Sequence, residues 1–317
     1  DGRQVSYDWL VLATGSAPRR LPGFEGEGIH YLRDWRDAVA LRAAMEAGKP
    51  VAVVGGGFIG GEVASSARSL GLSVALIEGT EAPLAPILGP EIGALMAGLY
   101  RANGVDLRCK VTASGVLGGG QVIGLRLSDG SDLRAGAVVV GIGAIPVVNY
   151  LAGSGLPVEN GILCEADCRV RGHADIFAVG DVARLDHPLY GNLRIEHWTN
   201  AVEQADLVAR NITDPAGRAV SAGVPYFWSD QFGVKIQFVG RRHPGSRFVL
   251  LDGSLEGRNF VAGYERDGRT TAVVCFNQPR AVLAWRRRFA AEIAGQMAAG
   301  RSPAAAIQGA AHDSTRT

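Results

Sequence analysis

A glycine-rich segment followed by an acidic residue is the first feature of the sequence that could support chemistry. Gly55, Gly57 and Gly60 fit the pattern G-x-G-x-x-G, and Glu78 follows at the spacing of about 20 residues that is typical of dinucleotide-binding proteins. Glycine lets a pyrophosphate approach the backbone, and the acid accepts hydrogen bonds from a ribose diol. The alternative interpretation is a glycine-rich turn with a structural role only.

The elements around this segment are those that a dinucleotide site needs. Val51–Val54 predicts a short buried strand, residues 61–70 predict a helix, and Val74–Ile77 predicts a second strand that ends at Glu78. The free N–H groups at the start of such a helix attract phosphate. Because strand, glycines, helix, strand and acid occur in this order, the sequence predicts a dinucleotide-binding domain.

The acidic residue also predicts which dinucleotide binds. The carboxylate of Glu78 would repel a 2′-phosphate, and no Arg follows it in residues 79–82 that could bind one. We therefore expect NAD rather than NADP. Phe58 and Ile59 lie between the glycines and are predicted to contact the same cofactor.

Two other segments resemble parts of a second nucleotide site. Thr14 and Gly15 end one apolar stretch, and Asp181 follows the apolar strand Ile176–Val179 and a glycine. A carboxylate at the carboxyl end of a strand in a doubly wound sheet lies where ligands bind, and it can bind polyol hydroxyls. From the residues alone, a helix N-cap or turn is an equally good interpretation of Asp181.

The composition is that of a globular protein with more than one domain. The chain has 317 residues, of which 47% are hydrophobic and 20% charged, and its net charge is +1. This balance argues against a nucleic-acid or membrane-surface role, and no apolar run reaches the roughly 18 residues of a membrane span. Four cysteines are too few for a disulfide scaffold, so we expect a reducing compartment, the cytoplasm.

The beginning of the chain predicts that it is a fragment. Residue 1 is Asp, not Met, and residues 7–15 predict a strand that is apolar on both faces. Nothing upstream could cover such a strand. We therefore expect that a front of roughly 100 residues, a typical domain-sized piece, is missing.

Several segments together resemble a known family, the flavoproteins that bind two dinucleotides. Within that family the sequence is most similar to the FAD-dependent NADH:ferredoxin reductases of bacterial cytochrome P450 and aromatic-ring dioxygenase systems. The segments that carry the resemblance are residues 7–15, 31–33, 55–62, 140–143 with Pro146, 180–182, Ile195-Glu196-His197-Trp198-Thr199-Asn200-Ala201 and Tyr226-Phe227-Trp228-Ser229-Asp230-Gln231. The last two are the most discriminating.

The resemblance implies two cofactors, FAD and NAD, and a [2Fe–2S] ferredoxin as the partner, with no nucleic-acid or membrane partner. It implies that Glu62 lies near the nicotinamide and that Trp228 lies beside the flavin, facing the ferredoxin. It also places Trp198 by the flavin pyrimidine ring and Asp181 on the FAD ribityl chain. The other residues that it assigns to cofactor binding are Thr14, Gly15, Arg33, Gly143, Val182, Glu196 and His197.

The resemblance implies an α/β fold with two Rossmann-like dinucleotide-binding domains, the FAD domain split by the inserted NAD domain, plus a C-terminal α+β domain. Residues 1–30 would be the remnant of the FAD domain, whose first half is missing. Residues 31–145 would bind NAD, residues 146–222 would complete the FAD domain, and residues 223–309 would form the C-terminal reductase domain. That domain is expected to contain an antiparallel sheet and a helix over 281–299. Residues 310–317 are expected to be a disordered tail.

Several local interpretations remain open. Asn200 and Glu203 form an N-x-x-E signal that predicts a helix start. His187 lies in a turn next to a proline and is expected at the surface. Cys164 and Cys168 have no partners with zinc-site spacing, which favours a structural role. Without the resemblance, core packing would be the favoured fate of Trp198 and Trp228.

Three other functions fit parts of the pattern. One is a rubredoxin reductase, nitrite-reductase-type or NADH oxidase relative. Another is a redox-signalling flavoprotein similar to the apoptosis-inducing relatives, which would turn over slowly. The third is that this chain, lacking half of an FAD site, is inactive by itself.

Overall fold

The computed structural model of the chain describes residues 2–188 and 190–298. The strands are β1 Leu10–Leu12, β2 Ser16–Pro18, β3 Ile29–His30, β4 Val51–Val54, β5 Val74–Glu78, β6 Val105–Cys109, β7 Ala113–Leu117, β8 Gly124–Leu127, β9 Asp132–Arg134, β10 Ala137–Val140, β11 Ala144–Pro146, β12 Ile162–Cys164, β13 Ile176–Ala178, β14 Ala183–His187, β15 Gly191–Arg194, β16 Tyr226–Gln231, β17 Val234–Gly240, β18 Arg247–Ser254, β19 Asn259–Arg266 and β20 Arg269–Phe276. The α-helices are α1 Trp35–Glu46, α2 Phe58–Ser69, α3 Ala85–Leu88, α4 Pro90–Ala102, α5 Trp198–Thr213 and α6 Pro279–Ala298. The expected tail over 310–317 and the end of the expected domain at 309 lie outside the described residues.

The predicted dinucleotide-binding sheet is present and parallel. Its strand order is β3-β10-β4-β5-β6. Because side chains alternate along a strand, Val51 and Val53 face the helices α1, α2 and α4, while Ala52 and Val54 face the other side. That other side is covered by a small antiparallel sheet, β7-β8-β9, which the sequence pattern did not predict.

The glycine-rich loop lies at the point where the strand order reverses. From β4 the chain continues to β5 and β6 on one side, whereas β10 returns to pair with β4 on the other. Such a switch point opens a crevice at the carboxyl ends of the strands. The loop that follows β4 therefore occupies the place where doubly wound sheets bind their ligands.

The segments expected to form the second nucleotide domain also meet in space. Strand β1 pairs in parallel with β13, with Leu12 opposite Ala178, and β2 pairs antiparallel with β11. A separate buried core joins these segments to β12, β14 and helix α5. Residues that precede and residues that follow the parallel-sheet segment thus build one unit, and its exact boundaries remain a prediction.

The C-terminal part is an antiparallel sheet with the strand order β16-β17-β20-β19-β18. One face shares a continuous core with helices α2 and α4 of the parallel-sheet domain, and the other is covered by α6 through Phe289 and Ile293. The four predicted strands correspond to β17 to β20. The segment 226–231, noted above only as a motif, is the edge strand β16.

Two local expectations were wrong. Helix α5 begins at Trp198 with His197 as its N-cap, so Asn200 lies in the first turn and its amide donates to the carbonyl oxygen of Ile195. Glu203 pairs with Arg286 of α6 at 3.0 Å instead of closing a capping box. The N-x-x-E pattern was misleading because both side chains have partners outside the helix backbone.

His187 is also not at the surface, since only 3% of it is exposed. Its Nε2 lies 3.0 Å from the carbonyl oxygen of Gly223, and the backbone N–H of Tyr190 donates to its Nδ1 at 3.3 Å. This pair of contacts requires the neutral ring with the proton on Nε2. Burial lowers the pKa of His187 to about 4.

The buried neutral histidine predicts that stability depends on pH. The unfolded chain binds a proton at His187 near pH 6.5 and the folded chain only near pH 4, so the free energy of unfolding falls as the pH drops through this window. The loss is at most about 3 kcal/mol for this residue. We expect His187→Asn to show a smaller loss of stability than the unsubstituted protein in urea unfolding between pH 7 and pH 4.5. Identical pH slopes for the two proteins would contradict this account.

Candidate functional site

The backbone around the glycines is shaped to approach a ligand closely. Gly55 has φ +104°, and a Cβ on it would overlap the carbonyl oxygen of Gly141, which follows β10. A Cβ on Gly60 would overlap the carbonyl oxygen of Gly55, so this glycine allows α2 to pack against the end of β4. At Gly57 the nearest atom to such a Cβ is 4.0 Å away, which leaves this face of the loop open.

Glu78 stabilises the loop from the end of β5. One carboxylate oxygen accepts from the backbone N–H of Gly56 at 2.7 Å, and the other accepts from that of Thr80 at 2.7 Å. A carboxylate has about four acceptor positions, so lone pairs remain for a ribose diol. That Glu78 accepts a ribose 2′-hydroxyl and repels a 2′-phosphate stays a prediction.

Asp181 is joined to the first segment of the chain by its side chain. Its Oδ2 accepts from Ser16 Oγ at 2.7 Å and pairs with Arg33 Nη2 at 3.0 Å, with 13% of the side chain exposed. The short helical turn Gly180–Val182 has Val179 as its N-cap, so Asp181 is not the N-cap of this turn. The carboxylate is therefore held in place by side chains and keeps acceptor capacity for another ligand.

Three residues predicted near the same cofactor lie on neighbouring turns. Thr14 Oγ1 donates to the carbonyl oxygen of Val147 at 2.9 Å, which joins the turn after β1 to the segment after β11. Gly15 and Gly143 have φ +69° and +98°, conformations that favour glycine. Gly143 has no atom within 4 Å of where a Cβ would lie, so its turn is open on that side.

A buried glutamine that the sequence analysis did not single out joins two parts of this region. The backbone N–H of Gly180 donates to Gln204 Oε1 at 2.7 Å, and Gln204 Nε2 donates to Asn200 Oδ1 at 3.2 Å. The same Asn200 amide holds the carbonyl oxygen of Ile195, just before α5. This chain of bonds fixes the Gly-Asp turn relative to the start of α5. Its signal in the sequence is its spacing: Gln204 lies three and four residues before the apolar Leu207 and Val208, on the same face of α5.

The start of α5 offers polar groups without partners in the described part of the chain. Helix α5 has no side-chain cap, and Nδ1 of His197 is buried with no hydrogen-bond partner. Burial lowers the pKa of His197 to about 4, so the ring is neutral at pH 7. Trp198 is 72% exposed, and Glu196 pairs with Arg194 at 2.5 Å. A buried unpaired nitrogen beside uncapped helix N–H groups fits a bound polar ring such as that of a flavin.

Phe227 brings the loop and the helix start together. Its ring lies 4.5 Å from that of Phe58 in α2 and 4.8 Å from that of His197, measured between ring centroids. Thr199 Oγ1 also donates to the carbonyl oxygen of Tyr226 at 3.0 Å. Strand β16 of the C-terminal sheet therefore contacts both nucleotide-binding regions. The sequence analysis quoted Phe227 within a motif but assigned it no role.

The two residues predicted to take part in the reaction, Glu62 and Trp228, are close to Phe227 through strand β16: Trp228 follows Phe227, and Glu62 bonds to Ser229. Glu62 is in α2, and burial raises the pKa of its carboxyl while a hydrogen bond from Ser229 Oγ at 2.5 Å lowers it. Trp228 is 44% exposed and stacks on Tyr226 at 5.8 Å, so it is not a core residue. The charge of Asp181 also acts on His197, where it raises the pKa, so the Asp181 contacts lie near the start of α5. Ile59 is half-exposed at the loop, whereas Val182 is fully buried.

The geometry defines a class of protein: two dinucleotide-binding units joined by a C-terminal sheet that contacts both. The sequence model of the pyridine nucleotide-disulphide oxidoreductases matches residues 1–205, and that of the reductase C-terminal domain matches residues 226–311. The chain belongs to the pyridine nucleotide-disulphide oxidoreductase family. This confirms the expected fold class, with two dinucleotide-binding domains and a C-terminal antiparallel sheet.

Curated relatives place the chain within that family more narrowly. It is 38% identical to the anthranilate 1,2-dioxygenase system ferredoxin–NAD(+) reductase component of Burkholderia cepacia, over 92% of this chain and 72% of the relative. It is 39% identical to the p-cumate 2,3-dioxygenase system ferredoxin–NAD(+) reductase component of Pseudomonas putida, over 90% and 70%. The reductase in the solved covalent putidaredoxin reductase–putidaredoxin complex superimposes with a TM-score of 0.86 at 33% identity, covering 91% of this chain and 70% of that one.

Proposed function

We propose that this protein is an NADH-dependent, FAD-containing ferredoxin reductase that supplies electrons to an oxygenase through a [2Fe–2S] ferredoxin. The observation that carries the proposal is the contact of Phe227 with both Phe58 and His197, which joins the NAD loop to the start of α5. The names of the relatives agree with it, because they are ferredoxin reductase components of dioxygenase systems.

FAD, when bound, accepts hydride from NADH and releases electrons one at a time. The chain's own residues supply position and charge. Gly55, Gly57 and Gly60 hold the pyrophosphate of NADH at the start of α2, and Glu78 binds its ribose. Glu62 borders the nicotinamide, and Phe58 and Ile59 line its path along the loop.

The second group of residues holds FAD. Asp181, oriented by Arg33 and Ser16, would accept hydrogen bonds from the ribityl hydroxyls. Trp198 and the uncapped N–H groups of α5 would hold the pyrimidine ring, where a positive helix end favours negative charge. The other residues assigned to FAD are Thr14, Gly15, Gly143, Val182, Glu196 and His197.

The protein is proposed to act in the cytoplasm. All four cysteines lie in the described part of the chain, and none forms a disulfide, as expected for a reducing compartment. Burial raises the pKa of Cys164 to about 12 and raises that of Cys168 further, which suits a structural role. In the described part of the chain, no helix has both the length and the apolar character needed to cross a membrane.

Electron exit is proposed at Trp228, the exposed aromatic residue of β16. We expect Trp228→Ala to lower ferredoxin-dependent cytochrome c reduction about tenfold, equal to about 1.4 kcal/mol of activation free energy. The rate of flavin reduction by NADH should change much less. Trp35→Ala, which removes a more exposed tryptophan from α1, is the matched control. The protein is expressed from its reading frame, with any residues that precede Asp1, and assayed with a [2Fe–2S] ferredoxin.

The same assay separates the proposal from its alternatives. Rapid cytochrome c reduction only when ferredoxin is present supports the ferredoxin reductase. A redox-signalling flavoprotein would turn over slowly under any condition, and an NADH oxidase would consume oxygen without ferredoxin. Equal rates for Trp228→Ala and Trp35→Ala would contradict electron exit at Trp228.

A further inference from the structure

Glu62 is the last member of a chain of hydrogen bonds that connects the parallel-sheet domain to the C-terminal sheet. Tyr100 OH donates to Gln231 Oε1 at 2.6 Å, and Gln231 Nε2 donates to Ser229 Oγ at 2.9 Å. Ser229 Oγ then donates to Glu62 Oε1 at 2.5 Å. All three bonds point in the same direction and end on the carboxylate.

The direction of the chain follows from the groups that form it. A phenol facing an amide oxygen can only donate, and an amide nitrogen can only donate to the serine oxygen. The serine hydrogen is therefore free to point at the carboxylate. Burial raises the pKa of Tyr100 well above its usual range, so the phenol keeps its proton. Hydrogen bonds arranged in series polarise and strengthen one another.

Successive side chains of β16 point to opposite faces of the sheet, so the members of the hydrogen-bond series lie on the face away from solvent. Ser229 and Gln231 point inward and are each 1% exposed, while Trp228 and Asp230 point outward. The strand that carries the proposed electron exit therefore also carries the contacts to Glu62.

The packing around the chain of bonds leaves room for it and holds it in place. A Cβ on Gly61 would overlap the hydroxyl of Tyr100 and the amide oxygen of Gln231, so a larger residue at this position of α2 would displace these two side chains. The backbone N–H of Phe232 donates to Ser65 Oγ at 2.7 Å. Ser65 is one turn after Glu62, and this second bond holds α2 and the end of β16 together.

We propose that Ser229, Gln231 and Tyr100 are positioning residues that keep the Glu62 carboxylate charged and in one orientation beside the nicotinamide. The location of Glu62 beside the nicotinamide rests on the proposed function, whereas the chain of bonds does not. The C-terminal sheet thereby helps to set the charge at the site where NADH donates its hydride.

The charged and titratable groups around Glu62 determine how its pKa should change when a hydrogen bond in the series is removed. Burial raises the pKa of Glu62, the bond from Ser229 lowers it, and Asp230 raises it. Asp230 is itself paired with Lys235 at 2.7 Å, and Tyr100 remains neutral. Loss of the Ser229 hydroxyl removes the lowering contribution, so the pKa of Glu62 rises.

The experiment measures that pKa directly in the protein expressed from its reading frame, with any residues that precede Asp1, before FAD is loaded. The protein is labelled with glutamate carrying ¹³C in the side-chain carboxyl, and the Glu62 signal is assigned by its loss in Glu62→Gln. We expect Ser229→Ala to raise the pKa of Glu62 by about one unit, a tenfold change in proton affinity. Tyr100→Phe should raise it by less, and Ser229→Thr, which keeps a hydroxyl, should restore it.

A matched control uses another buried tyrosine. Tyr264 OH donates to the carbonyl oxygen of Leu88 at 2.5 Å and takes no part in the series of hydrogen bonds that ends at Glu62. Tyr264→Phe should leave the pKa of Glu62 unchanged, and circular dichroism checks that every variant is folded. An unchanged pKa in Ser229→Ala overturns the proposal. If the pKa of Glu62 shifts in Ser229→Ala but not in Tyr100→Phe, the proposal is also overturned, because the series of hydrogen bonds would then not act as a unit.

A second readout links the result to function. In the FAD-loaded protein, the pH midpoint of flavin reduction by NADH should move upward in Ser229→Ala by the same amount as the pKa. A midpoint that stays fixed while the pKa moves overturns the role beside the nicotinamide. If NADH reduces no flavin at any pH, the proposed function fails, and the carboxyl titration still decides whether the hydrogen-bond chain holds Glu62.

Discussion

Gly60→Ala is expected to weaken NADH binding about a hundredfold and to lower the free energy of unfolding by about 3 kcal/mol. The added methyl group would overlap the carbonyl oxygen of Gly55, and the carbonyl carbon of Gly55 and Val53 Cγ1 would each lie 3.2 Å away. Backbone cannot move aside as a flexible side chain can. Helix α2 must therefore shift away from β4, and the N–H groups at its start no longer meet the pyrophosphate.

The matched control is Gly98→Ala, a substitution of the same kind within α4. Gly98 is exposed, and nothing lies within 4 Å of the added Cβ, so this variant should gain up to about 1 kcal/mol of stability from helix propensity. Its NADH affinity should be unchanged. NADH fluorescence titration and urea unfolding of both variants test the pair. Equal affinities for NADH would refute the role of Gly60 in seating α2.

Asp181→Ala is expected to lower FAD affinity about a hundredfold. The substitution removes the carboxylate that is proposed to hold the ribityl hydroxyls, and hydrogen bonds to charged groups contribute roughly 1.5–3 kcal/mol each. It also leaves Arg33 without its ion-pair partner in the region where the FAD would lie. The measurement is the FAD content of the purified protein, followed by titration of the FAD-free protein with FAD.

Two variants complete that test. Asp186→Ala removes a more exposed aspartate from β14, where it pairs with Arg171 at 3.5 Å, and it should keep the normal FAD content. Asp181→Asn keeps the size of the side chain but not its charge, and its FAD affinity should lie between those of Asp181→Ala and the unsubstituted protein. Full FAD occupancy in Asp181→Ala would show that the cofactor is held elsewhere.

Features encoded locally could be predicted from the sequence. The order strand, glycines, helix, strand and acid predicted the parallel sheet and the position of Glu78. Gly55 and Gly60 are needed because the backbone there lies too close to other backbone for a Cβ. The exposure of Trp198 and Trp228 could not be predicted from the residues, since tryptophan is more often buried. Here the resemblance to a family was the better guide.

Features that depend on contacts between distant residues were not predicted. The role of Ser229 depends on α2 lying against β16. Glu62 and Ser229 are 167 residues apart, and no local pattern indicates this pairing. His187 illustrates the same limit. A turn next to proline suggested the surface, but packing against Tyr190 and Gly223 buried the ring. Tertiary packing overrode local composition in both cases.

The central claim is that NADH, bound at the glycine-rich loop, reduces an FAD held by Asp181 and the start of α5. The most direct test is the visible spectrum of the FAD-loaded protein, recorded without oxygen before and after one equivalent of NADH, with NADPH as the comparison. The account predicts that NADH bleaches the flavin band and that NADPH, repelled by Glu78, scarcely changes it. A flavin that stays oxidised with NADH, or that is reduced equally by both nucleotides, would contradict it.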